Sequence, residues 1–116
     1  MNSSLSSKKN PLVGIISYGS YIPKNYISGL SIEEAQGSKG ANIYKSLGVF
    51  QKTVSSIDED VVTISVESAS QVFERLFPKE KLVKKDTGCL FIGSESHPYA
   101  VKPTGTMVKQ ALGLSD

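Results

Sequence analysis

The stretch that decides the fold is CLFIGSESHPYAVKPT, residues 89–104. Its first four residues are apolar and are followed by Gly93, which predicts a short buried β-strand rather than a helix. A polar loop comes next. Pro103 or Thr104 then opens a helix through Leu112, with Gly113 as its stop signal and residues 107, 108, 111 and 112 facing inward. The stretch therefore predicts a strand, a loop and a helix, a unit typical of α/β proteins.

A second buried strand is predicted near the start of the chain, over residues 12–18 (LVGIISY), closed by Gly19. Two short helices are predicted after it. The first begins at a capping box formed by Ser31 and Glu34 and ends at Gly37. The second covers residues 42–47.

The strongest helix pattern runs from residue 61 to residue 77. Apolar residues recur there at steps of three and four, which predicts one buried face. Three acidic residues precede the pattern, at the positive end of the helix dipole, and Pro78 follows it. The predicted face consists of Val62, Val66, Ala69, Val72, Phe73 and Leu76.

The predicted order of strand, helices, strand and helix indicates an α/β fold with a parallel pair of strands. Parallel sheets are normally covered on both faces, and two strands are too few to build one. We therefore expect residues 12–116 to be the N-terminal segment of a larger α/β domain, or a chain completed by partner strands. Residues 1–11 are rich in Ser and Lys and are predicted to be a disordered leader.

Composition excludes several function classes. Thirteen basic and eleven acidic residues in 116 give a net charge of +2, too small to indicate a nucleic-acid partner. Apolar runs of four or five residues cannot span a membrane. The single cysteine, Cys89, can form neither an internal disulfide nor a thiolate-rich zinc site, so we expect an intracellular, cytoplasmic protein without a metal.

The candidate site is the loop after the second strand, because ligands of open α/β sheets bind beyond the carboxyl ends of strands. Glu95 lies there between small residues. Partial desolvation would raise the pKa of such a carboxyl and suit it to general acid–base work. The alternative is a solvated loop glutamate.

Other side chains of this region carry weaker signals. His97 fits a general base or a ligand, but a structural role is the more common one for a lone histidine before a proline. Cys89 is expected to be buried in the strand as a small hydrophobe. Lys102 and Lys109 could face an anion such as a phosphate.

Several blocks of the sequence resemble the archaeal-type hydroxymethylglutaryl-CoA (HMG-CoA) synthases of the thiolase superfamily. The likeness is collinear over about residues 12–116. Its most specific part is HPYAVKPT, within residues 93–104, whereas the other blocks are shared more loosely with ketoacyl synthases. Those blocks are residues 13–24, 47–49, 57–60 and 63–69.

The resemblance implies a thiolase fold, two α/β halves stacked as an αβαβα sandwich. It implies condensation of acetyl-CoA with acetoacetyl-CoA for the mevalonate route to isoprenoids, with no cofactor beyond these CoA thioesters. In that family a Cys takes the acetyl group, a Glu removes a proton from its methyl, and a His assists at the second substrate.

Of these catalytic residues only the Glu carries over, and in this sequence it is Glu95. The family's Cys and His lie beyond residue 116, and neither Cys89 nor His97 matches them. An Asp-Ala pair that lines the substrate site of eukaryotic relatives aligns here with Lys39 and Gly40, so that role does not transfer. We therefore expect these 116 residues alone to be inactive.

The resemblance also implies a homodimer, and archaeal-type relatives associate with acetoacetyl-CoA thiolase and a small zinc-ribbon/OB protein. Two other functions stay open. One is a ketoacyl-carrier-protein synthase III-like condensing enzyme, against which the Gly-Ser-Glu-Ser run argues. The other is a short, non-catalytic thiolase-fold protein that binds a partner through an unpaired strand edge.

Overall fold

The computed structural model describes residues 13–38, 40–76 and 84–115. They form seven elements that combine helices with a small sheet, consistent with the α/β class. The predicted leader, residues 1–11, lies outside the described residues. In chain order the elements are β1 (Asn25–Ser28), α1 (Gly29–Ala35), α2 (Ile43–Ser46), β2 (Gln51–Val54), α3 (Val61–Leu76), a 3-10 helix (Lys84–Asp86) and α4 (Thr104–Leu112).

The sheet of the described residues is a pair of short antiparallel strands. β1 pairs with β2 in the register Asn25 to Val54 and Ser28 to Gln51. Neither strand was predicted. The predicted parallel pair is wrong for the described residues, since neither residues 13–18 nor residues 89–92 form a strand.

Both segments lack a neighbouring strand in the described part of the chain, which explains this difference. Their apolar, β-branched residues favour an extended backbone, but a strand also needs a partner for its ladder of hydrogen bonds. Leu90 and Ile92 are half-buried, whereas Phe91 is 90% exposed. Cys89 is exposed as well, so its predicted burial is wrong. The alternation is that of a strand with one uncovered face.

The segment that follows residue 16 docks on α3 instead of pairing in a sheet. The Ser17 hydroxyl donates to the carbonyl oxygen of Val72 at 3.1 Å. The Arg75 guanidinium donates to the carbonyl oxygen of Tyr18 at 2.7 Å and also lies 4.4 Å from the centroid of its ring. Gly19 permits this approach, because a Cβ there would collide with the carbonyl oxygen of Ser68.

α1 begins three residues earlier than the predicted capping box. Its N-cap is Ser28, whose extended backbone (φ −72°, ψ 147°) ends β1 and whose hydroxyl accepts from the Ser31 N–H at 3.0 Å. The expected cap at Ser31 is therefore wrong, because Ser28 already supplies the acceptor that the first turn needs. The predicted end is confirmed, since Gly37 adopts a left-handed φ of 71° directly after the C-cap.

α3 is confirmed from Val61 to Leu76, and its N-terminus is capped by an aspartate. The Asp60 carboxylate accepts from the N–H groups of Val62 and Thr63, both at 2.9 Å. The Thr63 hydroxyl in return accepts from the Asp60 N–H at 2.8 Å, which makes the cap reciprocal.

The buried core lies where α3 packs against α4. Leu76 at the end of α3 is buried, as are Val108 (0% exposed) and Leu112 (3%) on α4. α4 begins at Thr104 and ends before Gly113 (φ 65°), as predicted. Met107 is half-buried and Ala111 exposed, so the inward face of α4 is narrower than predicted. This packing fixes the helix that follows the candidate loop.

Candidate functional site

The candidate loop is the segment of residues 93–103, which leads from Ile92 back to α4. Its two ends lie close together: a Cβ added to Gly105, in the first turn of α4, would lie 3.8 Å from Cγ1 of Ile92. That is ordinary van der Waals contact. The loop is therefore closed at its base by the apolar side chain that precedes it.

Glu95 lies in a turn within this loop. The Ser96 N–H donates to the Ser94 hydroxyl at 3.0 Å, which brackets Glu95 between the two serines. Glu95 itself is exposed, and among the described residues its carboxyl has no hydrogen-bond partner. A carboxyl in such a turn is available to a substrate, but its position depends on the backbone that carries it.

His97 connects the loop to the helix. Its Nδ1 lies 2.8 Å from the hydroxyl oxygen of Thr104, the first residue of α4. Thr104 is only 4% exposed, so the histidine is bound to a buried residue of a packed helix. The fold thus brings together two residues that sequence analysis considered separately.

A cavity of about 300 Å³ lies between the loop and the start of α4. It is lined by Ile92, His97 and residues 99–105, and Glu95 is not among its lining residues. Lys102 contributes the cationic group, with its Nζ 5.8 Å from the centroid of the Tyr99 ring. Of the two lysines considered for an anion, Lys102 therefore lines the cavity, and Lys109 does not.

A second cavity, of about 210 Å³, was not predicted. It lies between α1 and α2, is mostly apolar, and has Lys52 and Glu33 among its lining residues. Glu33 is 4% exposed; its Oε1 accepts from the Tyr44 N–H at 3.0 Å, and its Oε2 has no hydrogen-bond partner among the described residues. Glu33 stands beside the exposed Glu34, and the sequence carries no signal that separates them.

Two classes of site find no support in the described part of the chain. Within residues 13–38, 40–76 and 84–115, no three His, Cys, Asp or Glu side chains are grouped to hold a metal ion. Among the same residues, no helix combines the length and the apolar character needed to cross a membrane. The candidate loop therefore offers an exposed carboxyl at Glu95 and, in its later part, a cavity lined by one lysine, Lys102. A carboxyl that is open to a ligand can act in proton transfer.

The chain is similar to curated archaeal enzymes, although no family model matches it. The hydroxymethylglutaryl-CoA synthase of Archaeoglobus fulgidus is 44% identical over 105 residues, which is 90% of this chain and 29% of the relative. The synthase of Thermoplasma volcanium is 44% identical over 101 residues, 87% of this chain and 28% of the relative. The synthase of Methanosphaera stadtmanae is 42% identical over 104 residues, 90% and 29%.

The match to the Archaeoglobus fulgidus synthase includes the candidate loop. A match over 105 of 116 residues leaves out at most eleven, so it takes in residues 93–103 wherever it begins. The chain spans less than a third of the length of these relatives. Its sequence matches, at 42–44% identity, a segment of archaeal hydroxymethylglutaryl-CoA synthases.

Proposed function

We propose that the chain is the N-terminal portion of an HMG-CoA synthase that condenses acetyl-CoA with acetoacetyl-CoA. The observation that carries this proposal is the 44% identity to synthases over a stretch that includes the Glu95 loop. The exposed serine-bracketed turn supports it, because a base that takes a proton from a substrate must be accessible to that substrate. The product would feed the mevalonate route to isoprenoids.

Glu95 is the general base of this reaction in our proposal. A cysteine in the remainder of the protein attacks acetyl-CoA, forms the acetyl thioester and releases CoA. The Glu95 carboxylate then removes a proton from the acetyl methyl. The resulting enolate carbon attacks the ketone carbon of acetoacetyl-CoA, the alkoxide that forms takes up a proton to become the hydroxyl of the product, and water finally hydrolyses the enzyme thioester.

The test of this role is Glu95→Gln in the full-length protein. General bases contribute about 100- to 10,000-fold to a rate, so condensation should fall by that order while acetylation of the cysteine continues. Glu74→Gln is the matched control, because Glu74 is an exposed carboxylate on α3. If Glu95→Gln condenses the two thioesters at the wild-type rate, the base assignment is wrong.

The fold of the complete protein is also part of the proposal. Val13 and Ile15 are 95% and 94% exposed, and they lie in one of the two apolar segments that have no strand partner among the described residues. We expect the remainder of a thiolase-fold protein to supply the neighbouring strands of both segments. Large apolar side chains that lie close together in the sequence are seldom exposed to this extent in a folded protein. Their exposure therefore supports a sheet that is completed by strands from the remainder of the protein.

The transcript tests this second part. Reading it beyond codon 116 should show an open frame that continues into a further strand and a nucleophilic cysteine. A stop codon directly after Asp116 would contradict a thioester mechanism on this chain. In that case a non-catalytic protein that takes partner strands becomes the better explanation.

The complete protein is proposed to be a cytoplasmic homodimer that binds CoA thioesters and no other cofactor. It is further proposed to associate with acetoacetyl-CoA thiolase and a zinc-ribbon/OB protein. Size-exclusion chromatography with light scattering checks the dimer. Copurification with those two proteins as defined baits checks the assembly, and a monomer that retains neither would contradict this part.

A further inference from the structure

The bond between His97 and Thr104 joins the outer part of the candidate loop to α4. The two polar atoms are 2.8 Å apart. Thr104 is buried, and one turn further along the helix Val108 is completely buried. The bond therefore fixes His97 to the best-packed element of the described chain.

Glu95 lies two residues before this anchor. Glu95 also lies within the Ser94–Ser96 turn, which a hydrogen bond of 3.0 Å closes. The Glu95 carboxyl makes no hydrogen bond of its own to the described residues, so its position depends on the backbone of residue 95. The Ser94–Ser96 turn and the His97–Thr104 bond hold that backbone. Pro98 adds to the His97 anchor, since a residue before proline has a restricted backbone.

We infer that His97 is the positioning residue of Glu95 and that it acts through its hydrogen bond to Thr104. This inference rests on the proposed function, in which Glu95 takes the methyl proton. A base is effective only within hydrogen-bond reach of the proton that it removes, and an error of about 1 Å can cost about 100-fold in rate. The histidine transfers no proton in this role.

The positioning role of His97 affects only the proton-removal step of the proposed reaction. Acetylation of the cysteine does not use Glu95, so a displaced loop leaves that step unchanged. Removal of the methyl proton depends on where the Glu95 carboxyl lies. Loss of the anchor should therefore slow proton removal and spare acetylation, whereas a general loss of folded structure would slow both.

Thr104→Val in the full-length protein is the first variant of the experiment. It keeps the shape of the buried side chain and removes the hydroxyl that meets His97. Thr104→Ser keeps the hydroxyl, and His97→Asn places an amide near the position of Nδ1. Proton removal is measured as the exchange of acetyl methyl protons for solvent deuterium with acetyl-CoA in deuterated water, and acetylation as transfer of labelled acetyl to the enzyme.

We expect Thr104→Val to slow the exchange by about 10- to 100-fold with acetylation unchanged. The single variants Thr104→Ser and His97→Asn, which keep a hydrogen bond at this position, should retain most of the wild-type exchange rate. In the double variant His97→Phe with Thr104→Val, the loss should equal that of either single change, because both remove the same bond. Equal slowing of both steps, or no slowing of either, would overturn the inference.

The two proposals fail in different ways. If Glu95→Gln exchanges methyl protons at the wild-type rate, the proposed base is wrong and the positioning role fails with it. If Glu95→Gln abolishes the exchange while Thr104→Val leaves it intact, the proposed function stands and only the positioning role is wrong. Thermal unfolding of each variant identifies any that fails to fold. If Thr104→Val does not fold, the exchange and acetylation rates of Thr104→Ser and His97→Asn decide whether the positioning role is correct.

Discussion

The hydroxyl of Tyr21 donates a hydrogen bond to Oε1 of Glu59. The other carboxylate oxygen, Oε2, accepts from the Ser56 N–H at 2.7 Å. One carboxylate thus joins the segment before β1 to the turn before α3, 38 positions apart along the chain. This link attaches the small sheet to the helical core and changes the protonation behaviour of both groups.

Stability should fall in acid partly because of Glu59. The Ser56 N–H, and after it the Tyr21 hydroxyl, hold the pKa of this carboxyl below its ordinary value of 4.5. A carboxyl whose pKa is lower in the folded state stabilises the fold above its unfolded pKa. That contribution is lost as the pH falls from about 4.5 through the lowered value.

Urea unfolding of wild type and Glu59→Gln across the acid range checks this expectation. The glutamine variant is uncharged throughout, so it should be less stable than wild type at neutral pH. The two stabilities should converge as Glu59 becomes protonated. A gap between them that stays constant down to the lowest pH would contradict it.

Tyr21→Phe should destabilise the protein at neutral pH and change its behaviour in alkali. The hydrogen bond to Glu59 is the main cause that raises the pKa of Tyr21 above 10, followed by burial and nearby acidic charges. Because the folded state holds this proton more tightly, the stabilisation is complete below pH 10 and is lost as the pH rises through the raised value. Tyr21→Phe removes that alkaline loss.

Unfolding experiments with Tyr26→Phe provide the matched control, because the Tyr26 side chain is 64% exposed. This control should retain wild-type stability and its alkaline decline. The double variant Tyr21→Phe with Glu59→Gln should lose less than the sum of its single changes. Full additivity would mean that the two side chains do not interact.

Local patterns explain which elements could be predicted. α3 and α4 depend on apolar spacing and on caps such as Asp60 and Gly113, all of which lie within a few residues of the helix they define. β1 and β2 have the sequences NYIS and QKTV, with little apolar alternation. Their pairing joins residues 25–28 to residues 51–54. These segments lie far apart in the sequence, so no local pattern predicts that they pair.

The two predicted strands were wrong for a related reason. An apolar run specifies an extended, buried segment, but the position of its partner is a property of the whole sheet. For the candidate site, the motif placed Glu95 and His97 in one loop after residue 92, as the structure has them. The bond from His97 to Thr104 and the burial of Glu33 arise from packing, so the sequence could not separate them from ordinary surface polar groups.

Gly19→Ala should destabilise the contact between the N-terminal segment and α3. The added Cβ would meet the carbonyl oxygen of Ser68, a backbone atom that cannot rotate away, as well as Cγ2 of Val72 at 3.1 Å. Overpacking of this kind costs about 1–3 kcal/mol. The change should also weaken the bond from Ser17 to α3.

Gly14→Ala is the control for this substitution, since a Cβ at Gly14 meets no atom of the described residues within 4 Å. It should change the free energy of unfolding by no more than about 0.5 kcal/mol. Urea unfolding of both variants measures the difference. Equal stabilities would show that the segment moves away from α3 without cost.

The two carboxyl oxygens of the Glu33 side chain have different surroundings. Oε1 accepts from the Tyr44 N–H in α2, whereas Oε2 is buried and has no hydrogen-bond partner in the part of the chain that the structure describes. Glu33→Ala removes the acceptor and leaves that N–H unpaired, which costs about 1–3 kcal/mol. Glu33→Gln keeps an acceptor oxygen of the same reach and exchanges one unpaired polar atom for another, so it should cost much less.

Hydrogen exchange at the Tyr44 amide, measured beside urea unfolding, should accelerate in the alanine variant and stay slow in the glutamine variant. Equal losses of stability and of amide protection would mean that the buried length of the side chain, rather than its hydrogen bond, holds α2 against α1.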